Sequence, residues 1–406
     1  MNFKPVQKYL DHYAEPESSE LDCPSNSKFE RCLVIPAFAE SPNFILRLIK
    51  AWPEDEQLLV ILVINRPEPC SEPYLEQAST CLEQAQHLLS RVEAVSKHLS
   101  WRKAVDCSIQ FLLVDRCSAH PIPKDQGVGL ARKIGCDIAL QLHATGQLNS
   151  QWVHTTDADA HLPANYFTPK LQDCSAGVYS HRYLKTDPEL YQVTQIYDLR
   201  NRAYRQQLDV AGSSYGFNPT GSLLALNFSS YAQVRGFPKR AGGEDFYILN
   251  KMQKNQGVSE ICSDPVELEC RLSDRVPFGT GPAVSKLIAS TQPEKEEIFY
   301  HPKCFEVFAK GLTLLKCTHP AEWFRTKEIP EEFKEALKNL NCESAITHLA
   351  PLYEKDELEA ARKFQRYQYH LDLWFDAFLS LKTIHFLRDN YFSSISHEEW
   401  LKIQSD

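Results

Sequence analysis

Two aspartates stand one residue apart in the stretch HTTDADAHLP, which covers residues 154–163. Asp157 and Asp159 would bring two hard oxygen donors within reach of one divalent cation, and Mg2+ or Mn2+ held in this way can bridge two phosphate groups. The same spacing also recurs by chance and often only caps a helix. The pair by itself therefore leaves two interpretations open, a metal site and a polar loop.

A glycine-rich turn in QGVGLARKIG, residues 126–135, is the second candidate. Gly127 and Gly129 would let the backbone approach a ligand closely just before a helix N-terminus, where a phosphate group is favourable. The dinucleotide fingerprint fails, because Arg132 replaces its third glycine and because the turn follows the third predicted strand rather than the first. A turn that merely starts a helix is the alternative interpretation.

A third pair of acids, Glu244 and Asp245, opens a predicted helix after a glycine-rich turn. Acidic residues in a first helical turn commonly compensate the helix dipole. A carboxylate at the mouth of a crevice could instead accept a proton from an attacking hydroxyl group.

The elements that must position these residues alternate between strands and helices over residues 31–160. The continuous apolar run at 58–64 is typical of a strand in a parallel sheet that is covered on both faces. This order predicts an α/β fold with a doubly wound, mostly parallel sheet and helices on both faces. Ligands of such sheets bind beyond the carboxyl ends of the strands. Asp157 and Asp159 directly follow the strand predicted at 151–155, so they are expected at such an end.

Helical spacing marks two other regions. Ser71 is expected to cap a long helix whose apolar residues recur three or four apart as far as Leu99. Apolar and aromatic residues keep the same spacing from Leu358 to Ile384. Because such stripes are typical of packing, we interpret the second one as core rather than as cofactor contacts.

Composition excludes several kinds of partner and compartment. The net charge of −9 leaves no basic excess to neutralise nucleic-acid phosphates, so we expect no DNA or RNA partner. The longest apolar run is too short to cross a bilayer, and the N-terminus lacks the apolar core of a signal peptide. We therefore expect a cytoplasmic protein without a transmembrane segment, and docking on a membrane surface stays open. The 13 cysteines are odd in number and form no C-x-x-C pair, which predicts reduced thiols and no zinc site.

Four segments, taken in order, resemble a family 2 glycosyltransferase with the GT-A fold. CLVIPAFAE resembles the opening strand and turn V-I-P-A-Y-N-E, and QGVGLARKIG resembles the segment G-x-G-x-A-R-N-x-G. TTDADAHLPANYF resembles the D-x-D strand end with its following helix. GSLLALNFSSYAQVRGFPKRAGGEDFYIL resembles the acceptor-side pattern that ends in Gly-Phe and then Glu-Asp. The resemblance covers roughly residues 31–285 and does not extend to the C-terminal part of the chain.

The resemblance implies a role for each matching residue. Asp157 and Asp159 would face a divalent cation, Mn2+ or Mg2+, and the diphosphate of a nucleotide-sugar donor, with Asp159 the better candidate for direct ligation. Asp245 would be the general base on the acceptor hydroxyl, and Glu244 would orient the acceptor or share that role. The residues expected to hold the nucleotide are Pro36, Ala37, Glu40, Asn65, Gly127, Gly129, Arg132, Asp157 and Arg275.

The chain departs from the family pattern in the region expected to recognise the base. Asn65 stands where the family carries an acidic motif, so the identity of the base is not predicted. Asp115, in LLVDRCSAHP, is a further candidate for the pocket. Arg271 and Arg275 could clamp the diphosphate, although a surface ion pair is an equal alternative. A processive synthase is not expected, because no Q-x-x-R-W motif and no membrane helix occur.

Histidines and a basic run complete the candidates. No histidine lies between His181 and His301, so a late histidine ligand to the metal has no candidate. We interpret His154 as packing or hydrogen bonding within its strand, whereas His161 could extend the ligand set of the acidic pair. The basic run at 200–205 is interpreted as a solvated helix face, with contact to an acidic acceptor as the alternative.

These observations divide the chain into three predicted parts. Residues 1–30 would form an N-terminal helix and linker, and 31–290 would form the GT-A domain. That domain would consist of a nucleotide-binding half at 31–160 and an acceptor half at 161–290. Residues 291–406 would form a C-terminal helical region that completes the acceptor site or supports a homodimer.

The predicted activity is metal-dependent transfer of a sugar from a nucleotide-diphosphate donor to a hydroxyl group of a small molecule or lipid headgroup. Inversion with Asp245 as base is favoured, and retention stays open. The alternatives are a non-catalytic module that binds a sugar nucleotide or a protein, and a nucleotidyltransferase. A dinucleotide-dependent oxidoreductase is a weaker alternative, since the fingerprint fails.

Overall fold

Apolar strands and amphipathic helices alternate along the first part of the chain in the computed structural model. The structure describes residues 4–21, 28–52, 54–55, 57–118, 120–217, 219–276, 279–352 and 360–405. The strands within these residues are β1 (Arg31–Ala37), β2 (Leu58–Asn65), β3 (Pro67–Glu68), β4 (Ser90–Ala94), β5 (Leu99–Lys103), β6 (Gln110–Arg116), β7 (Ile122–Pro123), β8 (Trp152–Thr155), β9 (Ala160–His161), β10 (Ala176–Leu184), β11 (Leu224–Asn227) and β12 (Val258–Glu269).

The helices of the same residues fall mainly between the strands and then follow one another to the C-terminus. They are α1 (Lys4–His12), α2 (Asn43–Ala51), α3 (Glu72–Leu88), α4 (Gly127–Ala144), α5 (Pro188–Val210), α6 (Phe228–Gln233), α7 (Glu244–Gln253), α8 (Thr280–Ile288), α9 (Pro302–Cys317), α10 (Glu331–Asn339), α11 (Ile346–Leu349), α12 (Ala360–Trp374), α13 (Ala377–Asn390) and α14 (His397–Ser405).

Parallel strands form the centre of the main sheet. The strand order is β4-β5-β6-β2-β1-β8-β11-β10-β12-β9, and β6, β2, β1 and β8 run parallel to one another. Successive residues of β1 point to opposite faces. Leu33 and Ile35 pack in the core with α2 and α3, whereas Val34 lies against Gly135 of α4. Helices therefore cover both faces of the sheet, which confirms the predicted α/β class.

The helix after Ser71 is shorter than the spacing predicts. α3 ends at Leu88, and the following residues form the antiparallel strands β4 and β5, so the prediction of a helix as far as Leu99 is wrong. Leu99 pairs with Val114 of β6 instead and is buried there. Sheet pairing supplies both burial and backbone hydrogen bonds, and it overrides the local helical spacing. Ser71 itself makes no side-chain cap.

The predicted N-terminal helix is present as α1 and is joined to α4 by a buried aspartate. Asp137 accepts hydrogen bonds from Tyr9 Oη at 2.6 Å, Glu15 N at 2.8 Å, Lys133 Nζ at 2.6 Å and Tyr231 Oη at 2.8 Å. We call these five residues the Asp137 network. Burial raises the pKa of Asp137, and Lys133 opposes that rise. The predicted linker after α1 falls partly on residues 22–27, outside the described residues.

The chain divides into two compact units. One comprises residues 1–191 and 219–282, and the other comprises 192–218 and 283–406. The structure thus places 192–218 with the helical unit, whereas the sequence-based division placed these residues in the acceptor half. The boundaries predicted at residues 30 and 290 remain predictions.

The helical unit has a core of its own. Tyr367, Leu371 and Ile384 are fully buried there, as the packing interpretation of the aromatic stripe predicts. The stripe is divided between α12 and α13, because the Asp376 carboxylate caps α13 by accepting from the backbone N–H groups of Phe378 and Leu379. Leu358 of the predicted stripe lies outside the described residues.

Two predictions from composition can be compared with the described part of the chain. Its cysteines are all free thiols, and Cys23 lies outside it. Of its helices, none has the length and apolar character needed to cross a membrane.

Candidate active site

Charged residues of the first unit meet where the parallel strands end. Asp157 and Asp159 follow β8, and Glu40 follows the neighbouring strand β1. Arg132 reaches the same place from α4, and Glu244 reaches it from the start of α7. The carboxyl edge of the sheet thus gathers these residues, as the position of ligand sites in such folds predicts.

The first group, which we call the inner cluster, consists of Arg132, Thr155, Asp157 and Glu244. Arg132 Nε donates to Glu244 Oε1 at 2.8 Å and Nη1 donates to Thr155 Oγ1 at 2.7 Å, while Nη2 contacts Asp157 Oδ1. The Arg132 side chain is 1% exposed. Burial opposes its charged form, but Asp157 and Glu244 raise the Arg132 pKa above its ordinary value. One guanidinium therefore joins the end of β8 to the start of α7.

The two acids at the start of α7 point to different partners. Gly243 precedes them with a φ of 70°, a left-handed conformation that glycine adopts without strain. Glu244 is buried against Arg132. Asp245 Oδ2 accepts from Ser222 Oγ at 3.0 Å, and its Oδ1 accepts from the Phe246 N–H at 2.7 Å. The structure thus separates the surroundings of Glu244 and Asp245, although they are neighbours in sequence.

The Asp245 carboxyl is suited to proton transfer near neutral pH. Burial, followed by the charge of Glu244, raises the pKa of Asp245 to about 7. The hydrogen bonds from Phe246 and Ser222 and the charge of Arg132 oppose that rise. A general base works best when its pKa lies near the working pH, so Asp245 has the electrostatics of such a base.

The second group, which we call the outer cluster, consists of Glu40, Asp159, Arg271 and Arg275. Arg271 Nη1 donates to both Glu40 oxygens at 2.8 and 2.7 Å, and its Nη2 lies 2.9 Å from Asp159 Oδ2. Arg275 Nη1 donates to Glu40 Oε1 at 2.6 Å and to the Phe38 carbonyl at 2.7 Å. Both arginines follow β12 in a segment without regular secondary structure. Both arginines thus form ion pairs beside the acidic pair, and their role as a clamp on a diphosphate remains a prediction.

Asp159 keeps one oxygen without a partner. Its Oδ1 is buried and accepts no hydrogen bond from the described residues. Burial raises the pKa of Asp159 to about 6 even though Arg271 opposes the rise. A buried carboxylate oxygen left unpaired is costly, and a bound cation would relieve that cost.

The charges and donors of the crevice fit a divalent cation. When all groups are ionised, the two clusters together with Asp245 carry two more negative than positive charges, from Glu40, Asp157, Asp159, Glu244 and Asp245 against Arg132, Arg271 and Arg275. In the described ranges no group of three or more His, Cys, Asp or Glu side chains is arranged to hold a metal. A cation at this edge of the sheet would take further ligands from phosphate oxygens and water, as is usual for Mg2+, and its ligation by Asp157 and Asp159 remains a prediction.

Gly127 and Gly129 lie in close contact with another segment of the protein. A Cβ on Gly127 would stand 2.6 Å from Ala241 Cα, and one on Gly129 would stand 2.4 Å from the Pro238 carbonyl oxygen. The Gly129 N–H also donates to the Arg240 carbonyl at 2.9 Å. Both glycines thus seat the segment before α7 on the N-terminus of α4, and their contact with a nucleotide remains a prediction.

Several residues predicted to line the nucleotide pocket make contacts with the protein backbone. Asn65 Nδ2 donates to the carbonyls of Ala37 at 3.2 Å and Val63 at 3.0 Å. Pro36 is buried within β1. The Asp115 carboxylate closes the turn after β6, where it accepts from the N–H groups of Cys117 and Ser118. These contacts position the strand ends, and direct contact of these residues with a base remains a prediction.

The two histidines beside the acidic pair have protein partners. His154 Nδ1 lies 2.7 Å from Tyr179 Oη, and burial lowers the pKa of His154 to about 3. This agrees with the interpretation of packing and hydrogen bonding. His161 Nε2 lies 2.8 Å from Glu269 Oε1, so the structure pairs it with that acid rather than with Asp157 or Asp159.

The basic run at 200–205 lies in the helical unit and is also engaged. Arg200 Nη2 donates to Tyr300 Oη at 3.0 Å, and Arg202 Nε donates to Asp198 Oδ2 at 2.7 Å. Arg205 Nε donates to the Gly216 carbonyl at 3.1 Å. The run therefore has structural contacts, and an acceptor role for it remains a prediction.

Sequence reasoning missed three contributors to the site. Thr155 binds Arg132, Ser222 binds Asp245, and the Phe38 carbonyl binds Arg275. Thr155 is the first threonine of the pattern T-T-D, two residues before Asp157, and a hydroxyl so close to the acidic pair was a signal. Nothing local marks Ser222, because its partner lies 23 residues away.

Comparisons with known proteins give a likeness in structure at low similarity. No protein-family model and no curated protein matches the chain. Among solved structures, it is similar to a mannosyltransferase from Pyrobaculum calidifontis in complex with GDP-Man and Mn2+, at 16% sequence identity and a TM-score of 0.34, with 95% of each chain covered. A likeness at this level carries no argument about activity, so the case for function rests on the side chains of the crevice.

Proposed function

We propose that the chain transfers a sugar from a nucleotide-diphosphate donor to a hydroxyl group of an acceptor, with Asp245 as the general base. One observation carries the proposal: Arg132 links the acidic pair at the end of β8 to the helix start that carries Asp245. A donor-side acid and a candidate base are thereby placed around one buried guanidinium. Such a linkage fixes the distance between the two halves of a transfer site.

The chemistry assigned to the chain's own residues begins with a proton. The acceptor hydroxyl gives its proton to Asp245 as its oxygen attacks the anomeric carbon, and the bond from that carbon to the donor diphosphate breaks. Ser222 and the Phe246 N–H hold the Asp245 carboxylate in place for this transfer. A single displacement of this kind inverts the configuration of the sugar.

Charge on the departing diphosphate must be balanced at the same moment. Arg271 pairs with Asp159 and Arg275 pairs with Glu40, and both arginines would face that diphosphate. A divalent cation held by Asp157 and Asp159, as Mn2+ or Mg2+, would neutralise the same charge. The nucleoside part would lie along Pro36, Ala37 and Asn65, at the ends of β1 and β2.

Thermal-shift measurements with UDP-, GDP-, ADP- and dTDP-sugars, with and without Mn2+, test whether a donor binds. With the donor so identified, release of the nucleoside diphosphate is measured for the wild type and for Asp245→Asn. We expect the variant to keep the donor-induced shift and to lose about 10²- to 10⁴-fold in turnover. Wild-type turnover should rise with pH through about 7, where the Asp245 carboxyl loses its proton.

Ser222→Ala is the matched control, because it removes a hydrogen bond to Asp245 while keeping the carboxylate. Its loss should be far smaller than that of Asp245→Asn. Retained turnover in Asp245→Asn would remove Asp245 from the mechanism. A folded protein that no sugar nucleotide stabilises would contradict the proposed function as a whole.

A further inference from the structure

We propose that Arg271 occupies the place of the cation in the donor-free protein, and that a nucleoside diphosphate opens the site by drawing Arg271 away from Asp159. The inference rests on the proposed function and adds to it a coupling between the two ligands. The divalent cation and the nucleoside diphosphate would then bind cooperatively, each favouring the other.

Arg271 and a cation would compete for the same oxygen atoms of Asp159. Arg271 Nη2 lies 2.9 Å from Asp159 Oδ2, while its Nη1 binds both oxygens of Glu40. A cation that approached Asp159 would meet a guanidinium of the same sign of charge at close range. Of the two Asp159 oxygens, Oδ1 alone is left without a partner in the described residues, so Asp159 offers a cation one oxygen instead of two.

Arg271 can leave without depriving Glu40 of a positively charged partner. Arg275 Nη1 donates to Glu40 Oε1 at 2.6 Å and to the Phe38 carbonyl at 2.7 Å. Glu40 would therefore keep a paired charge after Arg271 moves. The Arg271 side chain is 32% exposed and lies outside regular secondary structure, so its movement breaks no helix or strand.

A diphosphate is the ligand that would draw Arg271 away from Asp159. A planar guanidinium binds two phosphate oxygens in parallel, and these charge-assisted hydrogen bonds are stronger than neutral ones. A diphosphate thus offers Arg271 a bidentate partner. Asp159 Oδ2 then becomes available to bind the cation. Because coupling between two ligands is reciprocal, the cation must raise the affinity for the diphosphate by the same factor.

Binding of Mn2+ is the decisive measurement, since free Mn2+ gives an electron paramagnetic resonance signal that bound Mn2+ largely loses. Wild type, Arg271→Gln and Arg275→Gln are titrated with Mn2+ alone, and then with UDP, GDP, ADP or dTDP present. In the wild type we expect the nucleoside diphosphate to tighten Mn2+ binding about tenfold, within the usual range of coupling. Arg271→Gln should bind Mn2+ alone about tenfold more tightly than the wild type, with the coupling largely lost.

Arg275→Gln is the matched control, because it removes the same charge from the outer cluster, whereas the ion pair of Asp159 is with Arg271 and Arg275 acts on Asp159 through its charge. Its affinity for Mn2+ alone should change by less than about threefold, as a purely electrostatic effect at greater distance would give. Equal Mn2+ affinities in the wild type and Arg271→Gln would overturn the inference, as would equal gains in the two variants. Nucleotide-dependent Mn2+ binding would persist in those cases and leave the proposed function standing. Failure of all three proteins to bind Mn2+ with any of these nucleotides would overturn the inference and the proposed cation site together, while the thermal-shift measurement decides separately whether a donor binds.

Discussion

Two arginines each join two carboxylates in the same crevice, but the protein holds them in opposite ways. Arg132 of the inner cluster belongs to a buried helix and is 1% exposed, whereas Arg271 of the outer cluster follows a strand end and is 32% exposed. Arg132 also binds the Thr155 hydroxyl, so it is fixed on three sides. Arg271 has carboxylates as its partners, and one of them has a second arginine available.

The difference in burial gives the inner cluster a structural role and lets the outer cluster exchange its ion-pair partners. A buried ion pair loses several kcal/mol when one member is removed, because the other is left as an uncompensated charge. A partly exposed pair is replaced by water at little cost. The inner cluster can therefore set the geometry of the crevice, while the outer cluster can trade its protein partners for ligand groups.

Removing each guanidinium in turn should give the largest difference between the two clusters. Arg132→Met should lower the free energy of unfolding by about 3 to 5 kcal/mol, because Glu244 is left buried and unpaired. Arg271→Met should lower it by no more than about 1 kcal/mol. Urea unfolding of the metal-free proteins measures both.

The charge-neutral double variant Arg132→Met/Glu244→Gln serves as the control for the first deletion. It should recover part of the loss, since no buried charge is left without a partner. Equal losses in Arg132→Met and Arg271→Met would show that the two clusters do not differ in the way their exposure indicates.

A change of pH should affect the two ends of the crevice over different ranges. The pKa of Asp159 is raised to about 6 and that of Asp245 to about 7, compared with about 4 for an aspartate in the unfolded chain. The folded protein then holds more protons than the unfolded one, so the free energy of unfolding falls as the pH rises through these ranges. Asp159→Asn should flatten the fall between about pH 4 and 6, and Asp245→Asn the fall up to about pH 7, each by an amount on the order of a few kcal/mol.

These profiles are measured by urea unfolding with EDTA present, so that no cation contributes. Asp55→Asn is a control outside the crevice, where Asp55 pairs with Arg31. Profiles of Asp159→Asn and Asp245→Asn that run parallel to the wild type would contradict the expected proton uptake.

The smallest effect should come from salt. Double-variant cycles for Arg271 with Glu40 should give a coupling energy below about 1 kcal/mol, and raising NaCl from 0.1 to 1 M should reduce it by a few tenths of a kcal/mol. The coupling of Arg132 with Glu244 should be larger and nearly unchanged, because buried pairs are screened much less. The same salt response in both cycles would remove the distinction between the clusters.

The central strands and the acidic pair could be predicted because their signals are local. An unbroken apolar run such as 58–64 satisfies a strand that is buried on both faces, and the structure places β2 there. The position of Asp157 and Asp159 followed from the strand before them. The apolar spacing that continues to Leu99 misled the helix prediction, since pairing with β6 is a long-range contact that spacing does not contain.

The partners within the site could not be predicted for the same reason. Glu40 and Arg271 are 231 residues apart, and Arg132 and Glu244 are 112 apart. The glycines at 127 and 129 show the ambiguity of a local pattern, because close approach to a phosphate and close approach to another loop require the same absence of a side chain.

The Asp137 network has a practical consequence for engineering the chain. Arg132 and Lys133 are consecutive on α4, and one serves the crevice while the other fixes the N-terminal segment through Asp137. A shortened version beginning after residue 18 would expose a buried lysine–aspartate pair one residue from Arg132. Affinity tags and fusion partners therefore belong before residue 4, and the segment at 4–18 should be kept intact in any crystallisation or activity work.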